Sequence, residues 1–180
     1  MEGIVIIAVI ILVVVGCIWI GYFNSFKRLK IKVQEGLSGI EVALTKRYDL
    51  LTKMLESSKA YLKHEKELFS DVVRLRKGMS VNELNDAEAR IERISSRLNV
   101  QLENYPDLKS SSVFMELQKA ITDAEEHLQA ARRLYNSNVT AYNTSIAMFP
   151  ASIIAGMHGF APEIFFEAQE HKREDVKMSF

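Results

Sequence analysis

The sequence predicts an all-α protein: an N-terminal transmembrane helix followed by an elongated antiparallel bundle of three long helices with short C-terminal helices. Three observations carry that prediction. Gly3 to Phe23 holds no charged residue and no Asn, Gln or Pro. The rest of the chain repeats apolar residues at three- and four-residue steps over long stretches, and no run alternates polar with apolar residues as a half-buried strand does. The expected organisation is a short outer N-terminus at 1–2, a span at 3–23, a helical-bundle domain at 24–168 and a charged tail at 169–180 expected to be disordered.

A helix over 3–23 runs about 31 Å at about 1.5 Å per residue, the thickness of a bilayer core of about 30 Å. Behind it Lys27, Arg28, Lys30 and Lys32 precede the first acid, Glu35, while only the amino terminus and Glu2 lie ahead. Short flanks rich in Lys and Arg stay cytoplasmic, which predicts a single-pass protein of the cell (inner) membrane with its N-terminus outside and its domain in the cytoplasm. Trp19, Tyr22 and Phe23 fall at the same end, where amphipathic rings favour the headgroup layer.

Three other readings compete for this segment. A cleaved secretory signal needs a basic n-region and a small-residue cleavage site, which are missing. Val14-Val15-Gly16-Cys17 resembles a lipobox and makes Cys17 a lipidation alternative; against it, the apolar run continues through Ile18, Trp19 and Ile20, and the cations follow the run. A buried soluble helix would carry a polar face. Cys17 is the sole cysteine, so one chain can form neither a disulfide framework nor a cysteine zinc site.

The first bundle helix is marked by Leu29, Val33, Leu37, Ile40, Leu44, Leu51, Leu55, Leu62, Phe69 and Val73, with an end expected near Arg76 before the Lys77-Gly78 stop signal. Gly36 and Gly39 each weaken it by about 1 kcal/mol against alanine and offer a place to bend. Ser80-Val81-Asn82-Glu83 has the capping-box pattern, opening a helix to about Asn104 with Leu84, Ala87, Ile91, Ile94, Leu98, Leu102 and Tyr105 on its stripe. Asp86, Glu88, Arg90, Glu92, Arg93 and Arg97 are expected on its opposite side. Pro106 to Ser112 reads as a connection supplying serine N-caps. The third helix carries the most regular seam: Phe114, Leu117, Ile121, Ala124, Leu128, Ala131, Tyr135, Asn138, Tyr142, Ser145 and Phe149, ended by Pro150. Asn138 on such a seam is expected to set register. Ala151 to Phe166 is apolar but broken by Gly156, Gly159 and Pro162. It is expected to pack as short helices over one end of the bundle, the alternative being to lie in the membrane interface.

Signals for chemistry are sparse. His64-Glu65 lacks the second histidine of a zinc protease helix, because residue 68 is Leu. No histidine has a glutamate three residues ahead of it, as a di-iron bundle requires. There is no phosphate loop and no nucleophile elbow. Lys plus Arg equal Asp plus Glu at 23 each, so no net field draws nucleic acid. No enzymatic activity, cofactor, metal, small-molecule substrate or nucleic-acid partner is expected. What stands out is Arg47 on an otherwise apolar line, flanked by Tyr48 and Asp49. A buried arginine is paired, here with an expected acid from Asp107, Glu116 or Asp123.

The segments Lys46 to Leu51, Ala60 to Glu65, Tyr105-Pro106-Asp107-Leu108-Lys109 with Phe114 and Leu117-Gln118, Ala131 to Asn143 (ARRLYNSNVTAYN), Phe149-Pro150 and Gly159-Phe160 resemble the LemA family of bacterial membrane proteins in order and spacing. With the N-terminal span and Phe23-Asn24, the resemblance covers nearly the whole chain. It implies a helical bundle on one N-terminal anchor with a cytoplasmic domain, no established reaction, and an association with membrane proteases in envelope quality control. Thr52-Lys53-Met54 stands where the family usually has a Pro-Asn-Leu element. The function expected is a noncatalytic interaction or scaffold module that binds a protein partner at the cytoplasmic membrane face. Its candidate contacts are Arg47, Tyr48, Asp49, Tyr105, Asp107, Asn136, Tyr142, Asn143 and Phe149, with core packing the competing role for the aromatics. The alternative is sensing of anionic lipid or of the bilayer through the basic residues Lys27, Arg28, Lys30 and Lys32 and the segment Ile153 to Phe166.

Overall fold

A computed structural model describes residues 1–58 and 78–166, and every regular element among them is helical. In chain order these are α1 (Glu2–Ser58), α2 (Val81–Leu102), α3 (Pro106–Lys109), α4 (Ser112–Ala147) and α5 (Ala151–Met157). The expected helix end near Arg76 and the tail at 169–180 lie outside the described residues.

The apolar N-terminal run and the first amphipathic stripe form one helix, with Gly36 and Gly39 in its interior. Gly36 serves packing: a Cβ there would stand 3.0 Å from Tyr135 Cα and 3.4 Å from Asn138 Nδ2. The expected capping box is formed. Ser80 Oγ accepts from the Glu83 N–H at 3.3 Å, and Glu83 Oε2 accepts from the Ser80 N–H at 2.8 Å. Such a cap stabilises a helix by about 1 kcal/mol.

Pro106 to Ser112 departs from the expected plain connection, since Pro106 to Lys109 coil into α3. Proline suits the first helical position because its missing N–H would have no partner there, and Tyr105 ahead of it is outside the helical region at φ −130°, ψ 71°. Ser111 Oγ accepts from the Phe114 N–H at 3.4 Å at the start of α4. That helix stops at Ala147. The regular seam therefore ends before Phe149, which is 83% exposed. After the cis Phe149–Pro150 peptide, α5 closes with Gly159 at φ 68° and a Phe160 N–H bond to Ala155 O at 3.0 Å. A left-handed glycine with that return bond satisfies the last carbonyls of a helix. Beyond it, residues 160–166 form a non-helical strap.

The chain divides into two compact units, Met1–Gly36 with Leu134–Ile164, and Leu37–Arg133 with the chain from Phe165 onward. In the first, the end of α4 runs antiparallel to α1, and Phe26, Val33, Tyr135, Val139, Tyr142, Ile146, Ile154 and Ala155 are buried. In the second, Ile40, Leu44, Leu51, Met54 and Leu55 of α1 are buried together with Leu84, Ile91, Ile94, Leu98 and Leu102 of α2 and Phe114, Ala124 and Leu128 of α4. Each fully buried large apolar side chain contributes about 1.5–3 kcal/mol. Glu88 departs from the expected charged face: it is 1% exposed.

Candidate functional site

Within the second unit, Arg47 is buried and ion-paired with two acids. Its NH2 group pairs with Glu92 Oε2 and its NH1 group lies 2.9 Å from Glu125 Oε2. The expected partners Asp107, Glu116 and Asp123 are exposed instead. A second buried pair joins Arg132 to Glu88, with the Arg132 guanidinium 5.2 Å over the Phe166 ring. Burial, and secondarily the neighbouring charge of Arg47, lower the Arg132 pKa to about 10, so it remains protonated at neutral pH. Sequence reasoning missed Glu88, Arg132, Glu92 and Glu125 as members of this cluster. A signal was present, because Glu88, Glu125 and Arg132 each follow a seam alanine (Ala87, Ala124, Ala131). A methyl group on the seam leaves room for the long side chain beside it to turn inward. Tyr48 is half-buried, its carbonyl accepting from Thr52 Oγ1 at 2.9 Å, and Asp49 is exposed. Tyr105 is half-buried and Asp107 exposed at α3.

Within the first unit, the polar residues of the ARRLYNSNVTAYN segment hold backbone. Tyr135 Oη donates to Ile164 O at 2.7 Å and Tyr142 Oη donates to Ala161 O at 3.1 Å. Asn143 grips Glu163 twice, Nδ2 donating to its carbonyl and Oδ1 accepting from its N–H, both at 2.9 Å. The strap is neither helix nor strand, so these side chains supply hydrogen-bond partners that regular structure would otherwise provide for its backbone. Lys30 Nζ closes the arrangement 3.0 Å from Glu163 Oε1. That hydrogen bond raises the Lys30 pKa, and burial raises those of Tyr135 and Tyr142. Asn138 Nδ2 donates to Lys32 O at 2.9 Å, tying α4 to α1. Asn136 is half-buried, its carbonyl accepting from Thr140 Oγ1 at 2.9 Å.

At the end of the apolar segment, Trp19 Nε1 donates to His158 Nε2 at 3.1 Å. The Phe23 ring meets the His158 ring at 4.9 Å, and Phe160 stacks edge-on against Phe23 and Phe26 at 5.7 and 5.3 Å. Lys27 Nζ lies 5.6 Å from the centres of both the Phe23 and Phe160 rings. Lys27, Arg28 and Lys32 are exposed. Of the candidate residues, Arg47, Tyr48, Asp49, Tyr105 and Asp107 belong to the second unit and Asn136, Tyr142, Asn143 and Phe149 to the first. Tyr142 and Asn143 act together on the strap with Lys30, Arg47 is held in its ion pairs, and Phe149 is exposed. Among the described residues no group of three His, Cys, Asp or Glu is placed to hold a metal ion.

Among the described residues one helix, α1, is long and apolar enough to cross a membrane, with a mean hydropathy of 3.3 over its most apolar stretch. Joined to packed amphipathic helices, it defines the class of membrane-associated helical proteins. The model of the LemA family matches residues 36–180. Protein LemA of Metamycoplasma hominis is 29% identical over 167 residues, spanning 90% of this chain and 76% of the relative. The chain belongs to the LemA family, which is not a known enzyme family.

Proposed function

We propose that this protein is a single-pass, noncatalytic scaffold that presents its helices to a protein partner at the cytoplasmic face of the cell membrane. The observation that carries the reading is the continuity of α1: the apolar segment and the first amphipathic stripe are one helix from Glu2 to Ser58. No unstructured linker separates the apolar segment from that stripe, as a flexible tether would. The cations Lys27, Arg28, Lys30 and Lys32 behind the apolar segment support a cytoplasmic domain by the positive-inside rule. The association of LemA-like proteins with membrane proteases supports envelope quality control as the process this scaffold serves.

Among the candidate contacts, exposed Asp49, Asp107 and Phe149 are the accessible ones, and Tyr48, Tyr105 and Asn136 border solvent. Photo-crosslinkers placed at Asp49 and Asp107 in intact bacteria are expected to yield one discrete adduct that disappears when the domain is released from the span. No adduct at either position would remove the scaffold reading. For orientation, Asp107→Cys in a Cys17→Ser background is expected to resist an impermeant thiol reagent until cells are permeabilised; labelling in intact cells would place the domain outside.

A further inference from the structure

We infer that the face of α5 bearing Ile153 and Met157, continued by Phe149, is a second membrane attachment lying in the headgroup and upper acyl layer beside α1. The inference rests on residues 3–23 spanning the bilayer, and it goes beyond the scaffold role.

The height of this face is set by contacts already described within the first unit. Trp19 lies in the last turns of the apolar run, at the level where tryptophan favours the interface. It donates to His158, the residue that caps α5, and Phe160 two residues later packs on Phe23 and Phe26. With seven residues, α5 is only about 10 Å long. Its outer face therefore stays within about 10 Å of the headgroup boundary, the depth an interfacial helix occupies.

Composition fits that position. Ala151, Ile154 and Ala155 are buried inward, while Phe149, Ile153 and Met157 are 83, 55 and 68% exposed. Ile153 and Met157, four residues apart, lie along one side of α5, and Phe149 is exposed in the turn just ahead of it. Between Arg133 and Glu163 the chain carries no Asp, Glu, Lys or Arg, so nothing charged is dragged into lipid with them. An interfacial element normally brings its own cations. Here α1 supplies them: Lys27 rides over the Phe160 ring, and Lys30 holds Glu163, which removes the nearest acid as a free charge facing anionic headgroups. The face is continuous with the lipid-exposed surface of the span, and its occupant is the bilayer.

The test uses the full chain, Cys17→Ser, reconstituted into phosphatidylcholine vesicles containing phosphatidylglycerol. A single environment-sensitive fluorophore is attached through Ile153→Cys, through Thr140→Cys as an aqueous reference, or, in the native background, to Cys17 as a span reference. At residue 153 the expected result is blue-shifted emission, strong quenching by lipids spin-labelled near the top of the acyl chain, and iodide quenching several-fold weaker than at residue 140. Emission and iodide quenching equal to the residue 140 reference overturn the inference. A probe shielded from both quenchers also overturns it, because another protein chain would then cover the face. The Cys17 probe separates the two readings: lipid quenching at Cys17 with water at residue 153 leaves the span standing and removes the attachment, whereas water at both removes the span itself. A second arm adds Phe149→Ser and Met157→Ser, exposed positions whose loss leaves the core intact, and is expected to restore iodide access at residue 153 without changing helical content.

Discussion

At the scale of residues, buried charge is the most consequential feature of the second unit. Taking an arginine and a glutamate out of water costs several kcal/mol per ion, and the pair recovers this only while both members are present. Glu88→Ala, which strands Arg132, is expected to cost about 3–5 kcal/mol, read as a lowered denaturation midpoint of the detergent-solubilised chain. Replacing both members, Glu88→Leu with Arg132→Met, is expected to come back to near the parent stability, because no unpaired ion remains. A double variant as unstable as Glu88→Ala alone would show that the pair does more than cancel its own desolvation. The same logic explains why Arg47, conspicuous in the sequence, is unavailable at the surface: Glu92 and Glu125 already occupy its guanidinium. That Arg47 would be buried and paired was legible from its place among Ile40 and Met54. Which acids pair with it was not, because periodicity assigns a face to each residue without assigning a rotation between helices.

At the scale of elements, glycine decides how closely α4 packs on α1 within each unit, and the strap adds to this in the first. Propensity alone says that alanine stabilises a helix by about 1 kcal/mol over glycine. Gly39→Ala follows that rule, since its added methyl would sit 3.9 Å from Ala131 Cβ in ordinary contact. Gly36→Ala meets Tyr135 Cα at 3.0 Å and is expected to be destabilising by about 1–3 kcal/mol despite the gain in propensity. Thermal melts of the two variants should move in opposite directions. The strap depends on Asn143, Tyr135 and Tyr142, so Asn143→Ala, which frees both backbone groups of Glu163, is expected to cost about 1–3 kcal/mol and to speed amide exchange at residue 163.

Strap stability also carries a pH dependence with a definite sign. Lys30, Tyr135 and Tyr142 all have folded pKa values raised above their ordinary 10.5, 10.0 and 10.0. Above about pH 10 the folded state then holds more protons than the unfolded one, so stability falls as pH rises. Their contribution is fully present at neutral pH and is lost as pH climbs through the raised values. The single tryptophan, Trp19, reports this through His158, and its fluorescence is expected to change above about pH 10 with a smaller amplitude in Tyr135→Phe/Tyr142→Phe.

At the scale of the whole molecule, the membrane anchor is also a structural helix. Trp19, Phe23 and Phe26 of α1 pack against His158 and Phe160, so cutting the anchor off at residue 23 removes side chains on which the α5 turn rests. The chain from residue 24 onward is expected to stay helical by circular dichroism while amides of residues 151–160 lose exchange protection. Equal protection with and without residues 1–23 would show that the turn stands on its own. The sequence by itself determined the helical class, the apolar span, the capping box at Ser80 and the stop before Pro150, because each depends on hydrophobic period or on residues within one turn of each other. The family was legible too, through segments whose order and spacing persist. Only the tertiary structure decided that Glu88 and Arg132 turn inward, that the Tyr and Asn residues of α4 clamp a strap about twenty residues further on, and that α5 rests at the end of the span. These depend on which faces meet between segments far apart in sequence, and a one-dimensional pattern records the faces but not their meeting.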